Sequence, residues 1–139
     1  MTYVDTSTLL KLVVDESGSD AAGRIWVSAD ALVAVSLIEV EARAALAAAK
    51  RAGRLSAAEH RRALTSLRQL LDQVDIVDVT AGLVSAACGL AERHGLRGYD
   101  AVHLAGALLV GSDVLTSADF ELCRAAEREY IHIANPLVS

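Results

Sequence analysis

The stretch Leu96-Arg-Gly-Tyr-Asp-Ala-Val-His-Leu-Ala105 decides how the chain is read. It sets one carboxylate, Asp100, at the start of an otherwise apolar helix predicted over residues 99–110, with Arg97, Gly98 and Tyr99 just before it and His103 one turn later. The apolar run from 101 to 111 is far shorter than the roughly 18 residues that argue for a membrane span. It is therefore a core helix, which needs a layer to pack against, and the flanking sequence supplies one. Segments 2–5, 31–35, 75–79, 113–116 and 130–134 are β-prone, and helical patterns fill 6–14, 21–28, 36–52, 56–71, 80–95 and 118–129. Strands alternating with helices predict an α/β fold: a mainly parallel central sheet with helices on both faces. No break in composition divides the chain, so residues 1–139 are expected to form a single domain.

Helix starts are marked in several places. Ser36-Leu-Ile-Glu39 and Ser56-Ala-Ala-Glu59 both have the pattern of a capping box, a Ser N-cap with an acid three residues on. Thr80 is placed to cap the helix that ends at Gly95.

In open parallel sheets, sites form at the C-terminal ends of the strands. That rule selects Asp5, the helix after Val35, and Asp119. Asp5 ends a strand; its ordinary role would be a helix N-cap, and Thr6 and Ser7 stand ready to share the capping or to hold a carboxylate. Glu39 is assigned to the first capping box. Glu41 shares a helix face with Leu37, Ala44, Ala45 and Ala48, a face expected to meet the core. An ionised acid there is costly without a partner, so Glu41 is the functional candidate, with pairing to an Arg as the alternative. Asp100 opens a helix whose dipole favours an anion; His103 either orients it or makes a structural hydrogen bond. Asp119 lies three residues after Thr116 and resembles a capping-box partner, and Ser117 is placed to position a metal-bound water. Several carboxylates sharing a pocket at neutral pH require a compensating cation, because like charges raise one another's pKa. Ligands that are all oxygen favour Mg²⁺ or Mn²⁺.

Composition narrows the function. The formal net charge of −5 is awkward for a nucleic-acid binder, since phosphate contacts need Lys and Arg, unless the acids gather at a metal site with Arg around it. Aromatics make up 4% of the chain, too few to predict a base-stacking surface. Cys88 and Cys123 are too isolated for a zinc site or a disulfide framework, and both are expected to be buried thiols. With no basic N-terminal region and no membrane span, a cytoplasmic protein is expected. The hairpin Lys50, Arg51, Arg54, Arg61, Arg62 is either a solvated helix pair or an RNA contact; Arg43 and Arg97, nearer the acids, are better candidates for phosphate.

With these residues in view, the chain resembles PIN-domain ribonucleases, and more narrowly the VapC toxins of bacterial toxin–antitoxin pairs. The resemblance spans nearly the whole sequence. It rests on Val4-Asp-Thr-Ser7, on Ser36-Leu-Ile-Glu-Val-Glu-Ala-Arg-Ala-Ala-Leu46, on Gly98-Tyr-Asp-Ala-Val-His-Leu-Ala105 as the most specific block, and on Thr116-Ser-Ala-Asp119 with Leu122 and Ala125-Ala126. In the last block the family usually spaces Thr and Asp by one residue, where this chain has Ser117. The resemblance implies a PIN-like fold and metal-dependent endonucleolytic cleavage of RNA. It implies an acidic quartet of Asp5, Glu41, Asp100 and Asp119, with Asp5, Asp100 and Asp119 on a Mg²⁺ ion (Mn²⁺ as a substitute) and Glu41 orienting water or holding a second ion. It also implies a homodimer and a cognate antitoxin whose cationic tail enters the site. Leu10, Val13 and Trp26 are either core or a surface for those partners.

Other functions fit less well. A phosphorelay receiver needs a late Lys, and none follows Lys50; a haloacid-dehalogenase-type phosphatase needs Asp where Ser7 stands. No phosphate-binding Gly-rich motif is present. A catalytically silent PIN-like domain that only binds a partner stays open.

Overall fold

The computed structural model describes residues 1–138. Five strands form one parallel sheet: β1 (Thr2–Val4), β2 (Leu32–Val35), β3 (Asp75–Val77), β4 (Val114–Thr116) and β5 (His132–Ala134), in the order β3-β2-β1-β4-β5. Seven helices connect and cover them: α1 (Thr6–Val13), α2 (Ser19–Ser28), α3 (Leu37–Arg51), α4 (Ala57–Leu71), α5 (Ala81–His94), α6 (Gly98–Leu109) and α7 (Phe120–Arg128). None of these helices is long and apolar enough to cross a membrane.

The central strands are buried on both faces, as parallel strands under helices must be. Side chains alternate between the faces. Tyr3, Val33, Val35 and Leu115 join Leu83, Ala87, Leu90, Leu104 and Leu122 from α5, α6 and α7. Val4, Leu32 and Ala34 join Leu9, Trp26, Ile38, Ala42, Leu46 and Leu67 from α1 to α4. Both faces are thus covered, as predicted. Trp26 belongs to this second core; it is 8% exposed and its Nε1 donates to Gln73 Oε1 at 3.0 Å, so it offers no partner surface. Leu10 and Val13 are half-buried against the same core.

Strand order reverses at β1. The chain runs outward from β1 through β2 to β3, then returns to place β4 on the other side of β1. The β1–β4 boundary is the topological switch point, where such sheets open a crevice beyond their C-terminal ends.

The helix starts divide. Ser56 and Glu59 form a complete capping box: Ser56 Oγ accepts from Glu59 N at 3.1 Å, and Glu59 Oε1 accepts from Ser56 N at 2.9 Å. Thr80 caps α5 through Leu83 N at 3.2 Å, and Gly95 ends that helix in the left-handed region at φ 65°. The predicted box at Ser36 does not form. Ser36 is itself helical (φ −59°, ψ −20°) and its side chain caps nothing. Glu39, half-exposed, instead lies 3.7 Å from Arg43 one turn on. The core face of α3 is also rotated from expectation. Ile38, Ala42 and Leu46 are buried, which leaves Glu41 on the flank of the helix, at the rim of the core. Cys123 is buried, but Cys88 is exposed on α5, against expectation.

Candidate active site

The four acids selected from the sequence come from four different junctions, and the structure fixes each by a different device. Asp5 follows β1 directly. It has the extended backbone of an N-cap (φ −84°, ψ 151°), yet its side chain accepts no amide from α1. Its Oδ2 accepts instead from Ser7 Oγ at 2.6 Å and Ser117 Oγ at 2.7 Å. Ser117, fully buried just past β4, also accepts from Asp119 N at 3.0 Å, and Ser7 Oγ accepts from Ala118 N at 2.9 Å. The two hydroxyls therefore tie the β1 and β4 junctions together and aim Asp5. Ser117 was expected to position a water; it positions a carboxylate.

Glu41 projects from the second turn of α3. Its Oε1 accepts from Thr6 Oγ1 at 2.8 Å and from His103 Nε2 at 2.5 Å. His103 is wholly buried. Its other nitrogen, Nδ1, lies 2.7 Å from Tyr3 Oη, which in turn accepts from Val35 N at 3.2 Å. A carboxylate oxygen only accepts, so Nε2 carries the hydrogen donated to Glu41. His103 was expected to orient Asp100 or to play a structural part. It orients Glu41, and its nearest approach to another carboxylate is 3.7 Å, to Asp5 Oδ1.

Asp100, the third residue of α6, is 6% exposed. Asp119 is the N-cap of α7, its Oδ1 accepting from Glu121 N at 2.9 Å and Leu122 N at 3.2 Å. It is a cap in its own right and not the capping-box partner of Thr116, whose hydroxyl instead pairs with Thr8 Oγ1 at 3.1 Å. Arg97 spans the two acids, with Nε 3.2 Å from Asp100 Oδ2 and an Nη 3.3 Å from Asp119 Oδ2. Its guanidinium also lies 5.1 Å from the centre of the exposed Tyr99 ring. Arg43, by contrast, turns toward Glu39.

The electrostatics follow from this crowding. Burial, then the charges of Asp119 and Asp5, push the Asp100 carboxyl above its ordinary pKa despite Arg97. Burial pushes Glu41 the same way, but the His103 and Thr6 hydrogen bonds and the His103 charge outweigh it and hold Glu41 below the usual range. For His103, burial opposes the charged form, and Glu41, Asp5 and Asp100 together overcome it and raise its pKa. Burial also keeps the Tyr3 phenol well above its normal titration range, so it remains a proton donor.

One arrangement recurs. Glu41 has Oε1 fixed by protein donors, Asp5 has Oδ2 so fixed, and Asp119 has Oδ1 so fixed. Among the described residues, Glu41 Oε2 and Asp100 Oδ1 take no protein hydrogen bond. Glu41 and Asp100 thus each keep an oxygen for something else, while the second oxygen of Asp119 is held by Arg97. All these donors are hard oxygens, and the acids are short of positive charge, which suits a divalent ion of the Mg²⁺ or Mn²⁺ kind. As the side chains stand, no three acid, imidazole or thiol groups among the described residues enclose an ion; the positive charge between Asp100 and Asp119 is that of Arg97. A separate groove of about 630 Å³ lies between α2, α7 and β5 and is lined by none of the four acids.

Sequence reasoning missed Tyr3. The signal was available: a phenol on a buried strand needs a partner for its hydroxyl, and Tyr3 lies two residues before Asp5, on the same face of the strand.

Comparison with known proteins agrees with this geometry. The PIN domain family model matches residues 2–128. Ribonuclease VapC45 of Mycobacterium tuberculosis is 40% identical over 118 residues, covering 85% of this chain and 82% of that one. The crystal structure of Mycobacterium tuberculosis VapC20, described as a sarcin-ricin loop cleaving toxin, superposes with a TM-score of 0.71 at 21% identity, over 90% of this chain and 95% of the other. VapBC2 from Rickettsia felis, solved on a promoter DNA fragment, gives a TM-score of 0.66 at 14% identity, over 97% and 98%. At those identities the two structures speak for the fold alone. A parallel sheet in this order, carboxylates gathered at its switch point, and a match to the family model over almost the whole sequence place the chain in the PIN-domain family, among its VapC ribonucleases.

Proposed function

We propose that this protein is a metal-dependent endoribonuclease, the toxin of a toxin–antitoxin pair, acting on RNA phosphodiester bonds. The observation that carries the proposal is the set of four acids at the β1–β4 switch point, with Asp5, Glu41 and Asp119 each anchored through one oxygen. The relationship to Ribonuclease VapC45 supplies the reaction class. Asp5, Asp100 and Asp119 are the residues to hold Mg²⁺, or Mn²⁺ in its place. A divalent ion so held supplies Lewis-acid stabilisation of a phosphoryl group and a more acidic water. Ser7 and Ser117 fix one oxygen of Asp5, and the α7 amides fix one oxygen of Asp119. Glu41, kept ionised by His103 and Thr6, accepts a proton from the attacking water through its free Oε2. Arg97 trades its contacts with Asp100 and Asp119 for the RNA phosphate.

The whole of residues 1–139 acts as one nuclease domain, working in the cytoplasm as a homodimer. A cognate antitoxin silences it, its cationic tail suiting the acidic pocket and the net charge of −5. The exposed Lys50–Arg62 hairpin is left as a solvated helix pair.

The test is cleavage of mixed cellular RNA by purified protein with Mg²⁺ or Mn²⁺ against EDTA, with Asp100→Asn alongside. Discrete fragments that require both the metal and Asp100 are expected. Fragments that persist in EDTA, or in folded Asp100→Asn, would overturn the metal-site assignment.

A further inference from the structure

Tyr3 and His103 are an anomaly in an apolar core. Both are 0% exposed, in the middle of the cluster under α5, α6 and α7. Buried polar groups are costly unless fully paired, and apolar replacements of the same shape are often as stable. Here each group has a partner. The β1–β2 ladder has its last paired residues at Tyr3 and Val33. Beyond it, the Val35 amide donates to Tyr3 Oη at 3.2 Å, Tyr3 faces His103 Nδ1 at 2.7 Å, and His103 Nε2 reaches Glu41 Oε1.

A second feature is shaped around the same contact. Gly106 lies one turn after His103 on α6. A Cβ there would sit 2.5 Å from Val35 Cγ1 and 3.3 Å from Tyr3 Oη. Only a residue without a side chain lets α6 come close enough to the sheet for His103 to meet the phenol. The rings pack edge to face, with centroids 5.8 Å apart.

We propose that Tyr3 and His103 are positioning residues that hold Glu41 by Oε1, so that its free Oε2 faces the reaction; this rests on the nuclease assignment above. Neither touches substrate. Tyr3 anchors the imidazole through Nδ1, and His103 with Thr6 fixes the carboxylate. Partners of this outer kind, when removed, commonly cost about 10- to 100-fold in function.

The experiment joins two readouts. In kinetics on an RNA substrate, Tyr3→Phe is expected to lower kcat about tenfold with KM unchanged, and His103→Leu to lower it by up to about 100-fold. His103→Gln, which keeps an amide donor near the Nε2 position, recovers part of that loss. In a Glu41→Gln background, Tyr3→Phe changes kcat by less than about twofold, since residues acting through one another are not additive. Equal losses in both backgrounds, or a loss carried by KM, would make Tyr3 an ordinary core residue. The second readout needs no activity: a hydrogen-bonded imidazole Nε2–H of His103, seen by nitrogen-edited NMR, is present in the wild type and altered in Tyr3→Phe and in Glu41→Gln. If it is absent, or unmoved in both variants, the positioning pair is refuted. If it is present while wild-type protein cleaves no RNA, the nuclease assignment fails and the hydrogen-bonded pair survives.

Discussion

Asp5 and Asp119 follow neighbouring parallel strands, β1 and β4, and both adopt the extended backbone of an N-cap, at φ −84° and −87°. What they do with that place differs. Asp119 gives Oδ1 to two amides of α7, at 2.9 and 3.2 Å. Asp5 gives α1 nothing from its side chain and takes two hydroxyl donors instead. An N-cap is worth about 1 kcal/mol, and α1 goes without it. The position of an acid at a helix start is thus poor guidance to its role; the direction of its side chain decides. Asp5 is committed to the pocket, and Asp119 divides itself between helix and pocket.

The comparison is broken most severely at Asp5. Asp5→Asn keeps an acceptor for Ser7 and Ser117 but loses the charge. Changes to residues that merely orient metal ligands cost about 10- to 100-fold, so loss of a charged ligand is expected to reduce RNA cleavage more than about 100-fold. The melting temperature of the metal-free protein should hold within about 4 °C, because no helix cap is lost. A cleavage loss that merely tracked a falling melting temperature would show that Asp5 is structural after all.

Asp119 allows a sharper cut, because its two duties separate. Asn caps as well as Asp, whereas Ala gives up about 1 kcal/mol. Asp119→Ala should therefore melt a few degrees below the wild type and Asp119→Asn close to it. Cleavage should fall by at least about tenfold in both, since both remove the charge. Full cleavage by Asp119→Asn would make this residue a helix cap only and leave the pocket with three acids.

These cases also show how far the sequence could be read. Alternation of apolar strands with capped helices was enough for the parallel sheet and its two covers, because burial on both faces leaves its mark on the strands themselves. The strand-end rule found Asp5 and Asp119, and an acid near a core face found Glu41, although by a face one residue from the fully buried one: Ile38, Ala42 and Leu46 are buried, whereas Leu37, Ala45 and Ala48 are only partly so and Ala44 is exposed. What stayed hidden were contacts between residues far apart in the chain. Tyr3 meets His103 across 100 positions, and Ser117 meets Asp5 across 112. No local pattern encodes such a pair; only the sheet order brings β1, β4 and α6 together.

The smallest expected effect belongs to two serines with the same local pattern. Ser36 and Ser56 each precede a glutamate by three residues, yet only Ser56 caps. The reason lies in what each backbone amide already does. Ser36 N donates to Val77 O at 2.9 Å, extending the β2–β3 ladder by one step. It has no hydrogen left for Glu39, and the residue is drawn into a helical conformation that turns its hydroxyl away from the α3 amides. Ser56 follows a loop, and its amide is available to Glu59. Ser56→Ala should therefore cost about 1 kcal/mol, read as a melting point a few degrees lower. Ser36→Ala and Glu39→Gln should each stay within about 0.5 kcal/mol of wild type, since the Glu39–Arg43 pair is half-exposed and 3.7 Å apart. A loss at Ser36 equal to that at Ser56 would mean that the Ser36 hydroxyl caps α3 after all. The start of α3, which carries Glu41, would then be held by a side-chain cap as well as by the strand end.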